Sequence, residues 1–294
     1  MSESTPASLP SVAIAGFASS VSYDAHRPTY QPAAVNFLLT SLGLTGRNKA
    51  KVMDIGAGTG KFTEILARRE ECYDIVAVEP HDDMRRVLRG KELPRTKVLR
   101  GDVQSVWSTG EWRAMGEDWS AESIVIAQAF HWFSTPETLR CVYEALVPNG
   151  TLGLIWNVED YNQSPEYPCT TPWESQLRNV LLTFNDGYPR YRDNVWRRVF
   201  DGVEARKMFS TSSSGEKTIE EKIFPVTVYL SKEDLWKRIG TLSYVRGLDK
   251  KEGLIEKFRK TFDEILNKDK SVIKNNKGEI EMHHIVHVAW TRKR

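Results

Sequence analysis

Cysteine is scarce in this chain. Cys72, Cys141 and Cys169 are three among 294 residues, at irregular spacing. So few cannot build a disulfide framework or a cysteine metal site. Reduced thiols in a cytoplasmic protein are the expectation. Neither sign of charge is in excess: the formal net charge is +2, which argues against a nucleic-acid partner. No apolar run approaches the roughly 20 residues that cross a bilayer, so no membrane is expected. The apolar piece 12–18 lacks a basic leader and follows Glu3, unlike a signal peptide. Repeats and low-complexity segments are missing, and nothing indicates a protein partner. One run invites a metal: His283-His284-Ile285-Val286-His287. On a strand, His283 and His287 face one way and His284 the other. Three ligands cannot converge from it, and no metal is expected.

What is present centres on Val52-Met53-Asp54-Ile55-Gly56-Ala57-Gly58-Thr59-Gly60. A short apolar run enters a glycine-rich turn, and Lys61 to Arg69 then has the spacing of an amphipathic helix. Strand, turn and helix describe the first crossover of a doubly wound sheet. The glycines permit positive φ and leave no side chain between backbone and ligand. A dinucleotide fingerprint would need its third glycine five places after the first. That place holds Lys61, and Gly60 comes one residue early. Asp54, just before the turn, suits a ligand with a cationic amino group better than a pyrophosphate. Asp74 to Glu79 has the pattern of a second strand, ending in an acid placed for a ribose diol. Pro80 ends it, and 81–89 looks helical. Lys97 to Val103 forms a third strand segment with Asp102 near its end, within reach of an adenine amino group.

These residues resemble the class I S-adenosylmethionine-dependent methyltransferases, in the branch around trans-aconitate and ubiquinone-pathway enzymes. Asp54 to Gly60 is similar to the family's first motif, Glu79-Pro80 with Met84 to its second, and Gly101-Asp102 to its third. Ala127-Gln128-Ala129-Phe130-His131-Trp132-Phe133 resembles the segment after the fourth strand, and Pro148 to Leu152 the turn into the fifth. The likeness runs over roughly residues 17–160. It implies S-adenosylmethionine as cofactor, bound by Asp54, Gly56, Ala57, Gly58, Gly60, Glu79, Pro80, Met84, Asp102, Val103, Gln128 and Ala129. It also gives Tyr23 and Arg27, in an entry segment that folds over the pocket, a role near the methionine end of the cofactor.

The rest of the chain is less specific. Residues 1–16 read as a disordered N-terminus, and 17–294 as one methyltransferase domain. Pro32 starts a helix through Leu39. Residues 107–120 look like a surface connection, and Ser123 to Ala127 like a buried fourth strand. A helix over 135–146, a turn at 148–150 and a fifth strand over 151–156 follow. His131 is the histidine placed near chemistry, either orienting an acceptor, taking a proton or fixing its loop. An insertion at about 157–205, rich in aromatics, is expected to form a helical lid between the fifth and sixth strands. Residues 201–222 read as polar loop, 223–230 as the sixth strand, 231–239 and 251–266 as helices, and 280–290 as the seventh strand. Acceptor-side helices are expected at about 231–268.

The fold expected is therefore α/β: a Rossmann-like, seven-stranded, doubly wound sheet with its last strand antiparallel. The function expected is methyl transfer to a small molecule, with Phe130, Trp132, Trp156, Trp173 and Tyr244 as acceptor contacts. No unmistakable base is visible. That favours a thiol, partly ionised unaided, or a carboxylate, already ionised. A likeness to fungal secondary-metabolism thiol methyltransferases of the gliotoxin type tips the expectation toward a thiol. A trans-aconitate-like enzyme would instead want lid arginines, and Arg178, Arg190, Arg192, Arg197 and Arg198 are on offer. A regulator that binds the cofactor and acts through a partner is the other class.

Overall fold

The computed structural model describes residues 27–294 apart from 115, 117–118, 185, 212–216 and 251–252. The expectations for the N-terminal 16 residues and for Tyr23 lie outside the described residues. Five parallel strands build the sheet's first half: β1 (Lys51–Ile55), β2 (Asp74–Glu79), β3 (Thr96–Arg100), β4 (Ala121–Ala127) and β5 (Leu146–Glu159). Three more follow: β6 (Phe209–Ser210), β7 (Glu220–Leu230) and β8 (Ile280–Lys293). Strand order is β3-β2-β1-β4-β5-β8, with β6 and β7 both paired to β8. β8 runs antiparallel to β5 and β7. The expected seven-stranded pattern is present, with the two-residue β6 as an addition.

The order reverses between β1 and β4, so the crevice at their carboxyl ends is where a ligand of such a sheet binds. Burial explains why the helices flank it. Alternate residues of β1 face opposite ways: Val52 joins a core with α1 (Pro32–Ser41) and α2 (Lys61–Ala67), and Met53 one with α4 (Pro136–Ala145). Between them in sequence, α3 (Asp82–Gly90) lays Leu88 on Ala57 and Ala77. Local chemistry sets the helix starts. Pro32 and Pro136 occupy first turns, and Thr135 Oγ1 accepts the Thr138 N–H at 3.1 Å.

A third core lies past the carboxyl ends. There α5 (Pro172–Leu182), α6 (Val203–Met208) being apart from it, packs Trp173 and Leu177 against α7 (Lys232–Ile239) and α8 (Leu254–Lys268). Ser231 caps α7 by accepting the Asp234 N–H at 3.0 Å. The presence of α6 and β6 corrects the reading of 201–222 as loop. Their burial rests on few residues, Ala205, Phe209 and Ser210 among them. β5 is also longer than expected: it continues through Asn157, Val158 and Glu159 because β8 pairs with them. The 148–150 turn survives as a break in the β4–β5 register, with Asn149 at φ 61°. Of the stretch expected at the surface, Trp107, Trp112 and Trp119 are less superficial than expected, since they meet edge to face and pack on the sheet's core. Among the described residues no helix is long and apolar enough to cross a membrane.

Candidate functional site

A cavity of about 1140 Å³, its open mouth included, sits at the reversal point. Its floor is the glycine turn. Gly56 and Gly58 line it at φ 71° and 60°, a region that side-chain-bearing residues rarely enter. The Gly56 and Ala57 N–H groups donate to Val78 O at 2.9 and 3.0 Å, tying the turn to β2. A Cβ on Gly56 would come 2.8 Å from Ala129 Cβ. Gly60 serves a different purpose. A Cβ there would lie 2.3 Å from Leu88 Cδ1, so it admits α3 rather than a ligand. Ala57 is likewise packed behind the wall, against Ala77 and Leu88.

Three acids surround this floor. Glu79, at the end of β2, lines the cavity. Its Oε2 accepts the Gly58 N–H and its Oε1 the His81 N–H, both at 2.8 Å. Burial pushes its carboxyl up to about 7, against the pull of those two N–H groups and Arg85. Asp102 also lines the cavity, one oxygen taking N–H groups from Gln104 and Ser105. Asp54 does not line it. It is fully buried, accepts the Thr63 hydroxyl at 2.6 Å through Oδ2, and leaves Oδ1 without a hydrogen bond. Burial raises it to about 6. Pro80, Met84, Val103, Gln128 and Ala129 complete this half of the wall. Gln128 holds a left-handed φ of 62° while its Nε2 donates to Asn157 O at 2.9 Å, a strained residue at the crevice.

The rest of the lining comes from segments distant in sequence: Arg27, Asn157, Asn162, residues 190–192 and residues 241–244. Arg27 donates to Thr241 O at 3.4 Å. Arg190 lies over the Trp132 ring at 4.3 Å and pairs with Asp186 at 2.6 Å. Arg192 lies over the Tyr244 ring at 4.6 Å. Asn162 Oδ1 accepts from both Arg192 Nη1, at 3.0 Å, and the Tyr244 hydroxyl, at 2.8 Å. Of five arginines considered from the sequence, these two reach the cavity. Arg178 donates to the Ser164 and Tyr167 carbonyls, and Arg197 pairs with Glu221.

His131 is on the wall and is neutral: burial, with Arg190 and Arg27 adding, lowers it to about 3. The Trp156 indole N–H donates to its Nδ1 at 3.3 Å. An indole can only donate, so the ring proton sits on Nε2. The nitrogen left for the cavity is a donor.

Three expected acceptor contacts are corrected. Phe130 is buried against Phe200 and Phe133. Trp156 is buried against Trp196 and Tyr191, supporting His131 from behind. Trp173 is buried in the third core, because the apolar stripe of α5 faces α7 and α8. Trp132 and Tyr244 do line the cavity. Reading from sequence missed Asn157 and Asn162, which carry no local motif. The three strand histidines are engaged separately. His283 contacts Glu174, and His287 contacts Tyr191 and Glu221. His284 is paired in register with Glu159.

Comparison with known proteins agrees with this geometry. A methyltransferase domain model matches residues 52–150. An uncharacterised methyltransferase-like protein of Schizosaccharomyces pombe is 29% identical over 83% of this chain and 82% of its own. An uncharacterised methyltransferase of Mycobacterium bovis is 37% identical over 47% of this chain; the chain spans about half of that protein's length, 50%. Among solved structures, a protein provisionally described as a type II methyltransferase, from Anaeromyxobacter dehalogenans, superposes with a TM-score of 0.56. It is 16% identical, over 91% of this chain and 97% of its own, a likeness of fold. The implied methyl donor fits the residues present: a backbone cradle that a Cβ would fill, carboxylates after β2 and β3, and an unpartnered buried oxygen on Asp54. The chain has the class I methyltransferase fold with its methyltransferase domain at residues 52–150, and it is an S-adenosylmethionine-dependent methyltransferase.

Proposed function

We propose that this enzyme methylates a small anionic molecule, and that the accepting group is a carboxylate before a thiol. One observation carries the reading. Arg190, Arg192 and Arg27 line the cavity, Arg190 over the Trp132 ring and Arg192 over the Tyr244 ring, while the acids that line it, Glu79 and Asp102, stand at or just past the ends of β2 and β3. Guanidinium groups in a partly desolvated wall recognise carboxylates well, through charge and paired N–H donors. In this reading Glu79 holds the cofactor's ribose hydroxyls, Asp102 its adenine amino group and Arg27 its methionine end. Gly56 and Gly58 admit it close to the backbone.

When bound, S-adenosylmethionine supplies a methyl group on a positively charged sulfur. A carboxylate oxygen already carries the electron pair it needs, so the chain has no proton to remove. That suits His131, whose cavity-side nitrogen is a donor and whose other nitrogen is taken by Trp156. The chain's task is to hold the acceptor oxygen about 3 Å from the methyl and in line, which can lower a barrier by roughly 7–11 kcal/mol. Arg190 and Arg192 bind and orient, and Trp132 and Tyr244 keep those guanidinium groups in place by stacking. The thiol expected from sequence is the second reading. Its support is the aromatic wall of Trp132, Phe133, Tyr191 and Tyr244. The test is S-adenosylhomocysteine release with a panel of mono-, di- and tricarboxylates, including trans-aconitate, and of mono- and dithiols. Carboxylate turnover is expected; turnover of thiols alone sinks the reading.

A further inference from the structure

Arg190 and Arg192 flank Tyr191, the first residue of the 3-10 turn Tyr191–Asp193. The turn is closed locally, the Arg190 N–H donating to Asp193 Oδ2 at 2.7 Å and the Asp193 and Asn194 N–H groups to Arg190 O and Tyr191 O, both at 3.1 Å. A further anchor reaches it from the sheet. The Tyr191 hydroxyl lies 2.8 Å from His287 Nδ1. His287, 1% exposed, belongs to β8, the strand between β5 and β7. Its Nε2 lies 2.9 Å from Glu221 Oε2 on β7, off the line of a good hydrogen bond but within charge contact. The same oxygen takes Arg197 at 2.5 Å.

The polarity of this line is consistent. A carboxylate beside Nε2 can only accept, which puts the ring proton there and leaves Nδ1 to accept the Tyr191 hydroxyl. Filling space alone does not require it. The Tyr191 ring already packs on Trp196 at 6.1 Å and Trp156 at 5.4 Å, and a phenylalanine would do as much. The His287 imidazole is withdrawn from water, which costs unless it is held, and the groups beside it are the half-buried Tyr191 hydroxyl and the Glu221 carboxylate, whose side chain is 26% exposed.

We propose that Tyr191, His287 and Glu221 are positioning residues: a side-chain relay from the sheet that fixes the 190–192 turn and sets the direction in which Arg192 presents its guanidinium to the acceptor. The relay rests on the anionic-acceptor reading above. It makes acceptor binding depend on the last strands of the sheet, far in sequence from the glycine turn.

Tyr191→Phe tests it, removing the hydroxyl and keeping the ring. Trans-aconitate is titrated by calorimetry into protein saturated with S-adenosylhomocysteine, and its KM is measured where it turns over. The acceptor Kd or KM rises roughly three- to tenfold, the worth of one ordinary hydrogen bond. Affinity for S-adenosylhomocysteine stays the same. His287→Gln reproduces the effect. In an Arg192→Met background Tyr191→Phe adds nothing, because the relay acts through that arginine. An unchanged acceptor affinity in Tyr191→Phe overturns the relay. So does an equal factor in the Arg192→Met background, which would mark a general packing role. If instead Arg192→Met itself leaves carboxylate binding unchanged, or wild-type protein binds none of the mono-, di- and tricarboxylates, the anionic-acceptor reading falls and takes the relay with it.

Discussion

The two walls of the cavity are built in different ways. The wall proposed for the cofactor comes from residues 55–129, its lining residues sitting at or just past the ends of parallel strands, with Met84 added from α3. The wall proposed for the acceptor comes from the extension of β5, two 3-10 turns (Asp160–Asn162 and Tyr191–Asp193) with Arg190 just before the second, and the residues after α7. The first wall is held by backbone: the turn's N–H groups on Val78 O, Glu79 on the Gly58 and His81 N–H groups. The second is held by side chains: Arg192 and Tyr244 on Asn162, Arg190 on Trp132 and Asp186. A backbone-built wall tolerates little change and serves one ligand. A wall of side chains can be re-cut for a new acceptor while the sheet beneath it stays the same.

The comparison breaks most sharply at the glycine turn. Gly58→Val forces a β-branched residue to φ 60° beside the cofactor. S-adenosylhomocysteine affinity by calorimetry is expected to fall by on the order of a hundredfold or more, with far-UV circular dichroism unchanged. Unaltered affinity would mean the turn is not the cofactor's cradle.

The next effects are smaller and separate the walls. Arg192→Met removes a charge-assisted contact, worth about 1.5–3 kcal/mol. It should raise the KM of the carboxylate acceptor roughly tenfold or more and leave cofactor binding alone. Equal losses for both ligands would erase the distinction.

Glu79→Gln should do the reverse, weakening S-adenosylhomocysteine by roughly tenfold with the acceptor's KM kept. It should also change stability in a direction fixed by linkage. The Glu79 carboxyl is raised from 4.5 to about 7 by burial. Below the ordinary value it is protonated folded and unfolded. As pH rises through about 7 the folded chain must hold a buried charge, and stability present at low pH is lost. Thermal melts should therefore show Glu79→Gln above wild type near about pH 8 and level with it near about pH 4, below the unfolded value of 4.5. A gap that widens toward acid refutes the burial argument.

His131 gives the smallest effect. With its pKa lowered to about 3 it stays neutral across the working range. The pH profile of kcat should carry no limb from it, and His131→Gln should slow turnover by less than the 10²–10⁴-fold of general base loss. A limb near neutrality that vanishes in the variant would show a base.

The cofactor wall was readable because its signals are local. Strand, glycines and helix start lie within ten residues of Asp54, and each acid follows its own apolar run. Even here, pattern did not separate the glycines. Gly56 and Gly58 line the cavity and Gly60 admits Leu88, a distinction that depends on where α3 lands. On the acceptor side, helical spacing marked Trp173 as belonging to an apolar stripe but not which layer the stripe would meet. It meets α7 and α8, and the ring is lost to the cavity. Asn157 and Asn162 stand where they do because β8 lengthens β5 past Trp156, a pairing between segments more than a hundred residues apart.

What the chain's order of residues determined by itself was a doubly wound sheet with an antiparallel last strand and an acid-flanked glycine turn. Periodicity of two or 3.6 and the conformational range of glycine are properties of short segments. What tertiary structure alone decided was which charges face the acceptor. Five arginines were equivalent by sequence, and the contacts of the third core and the late strands turned two into the cavity and engaged Arg178 and Arg197 elsewhere. A side chain's direction depends on every layer packed against it, and no window of sequence contains those layers.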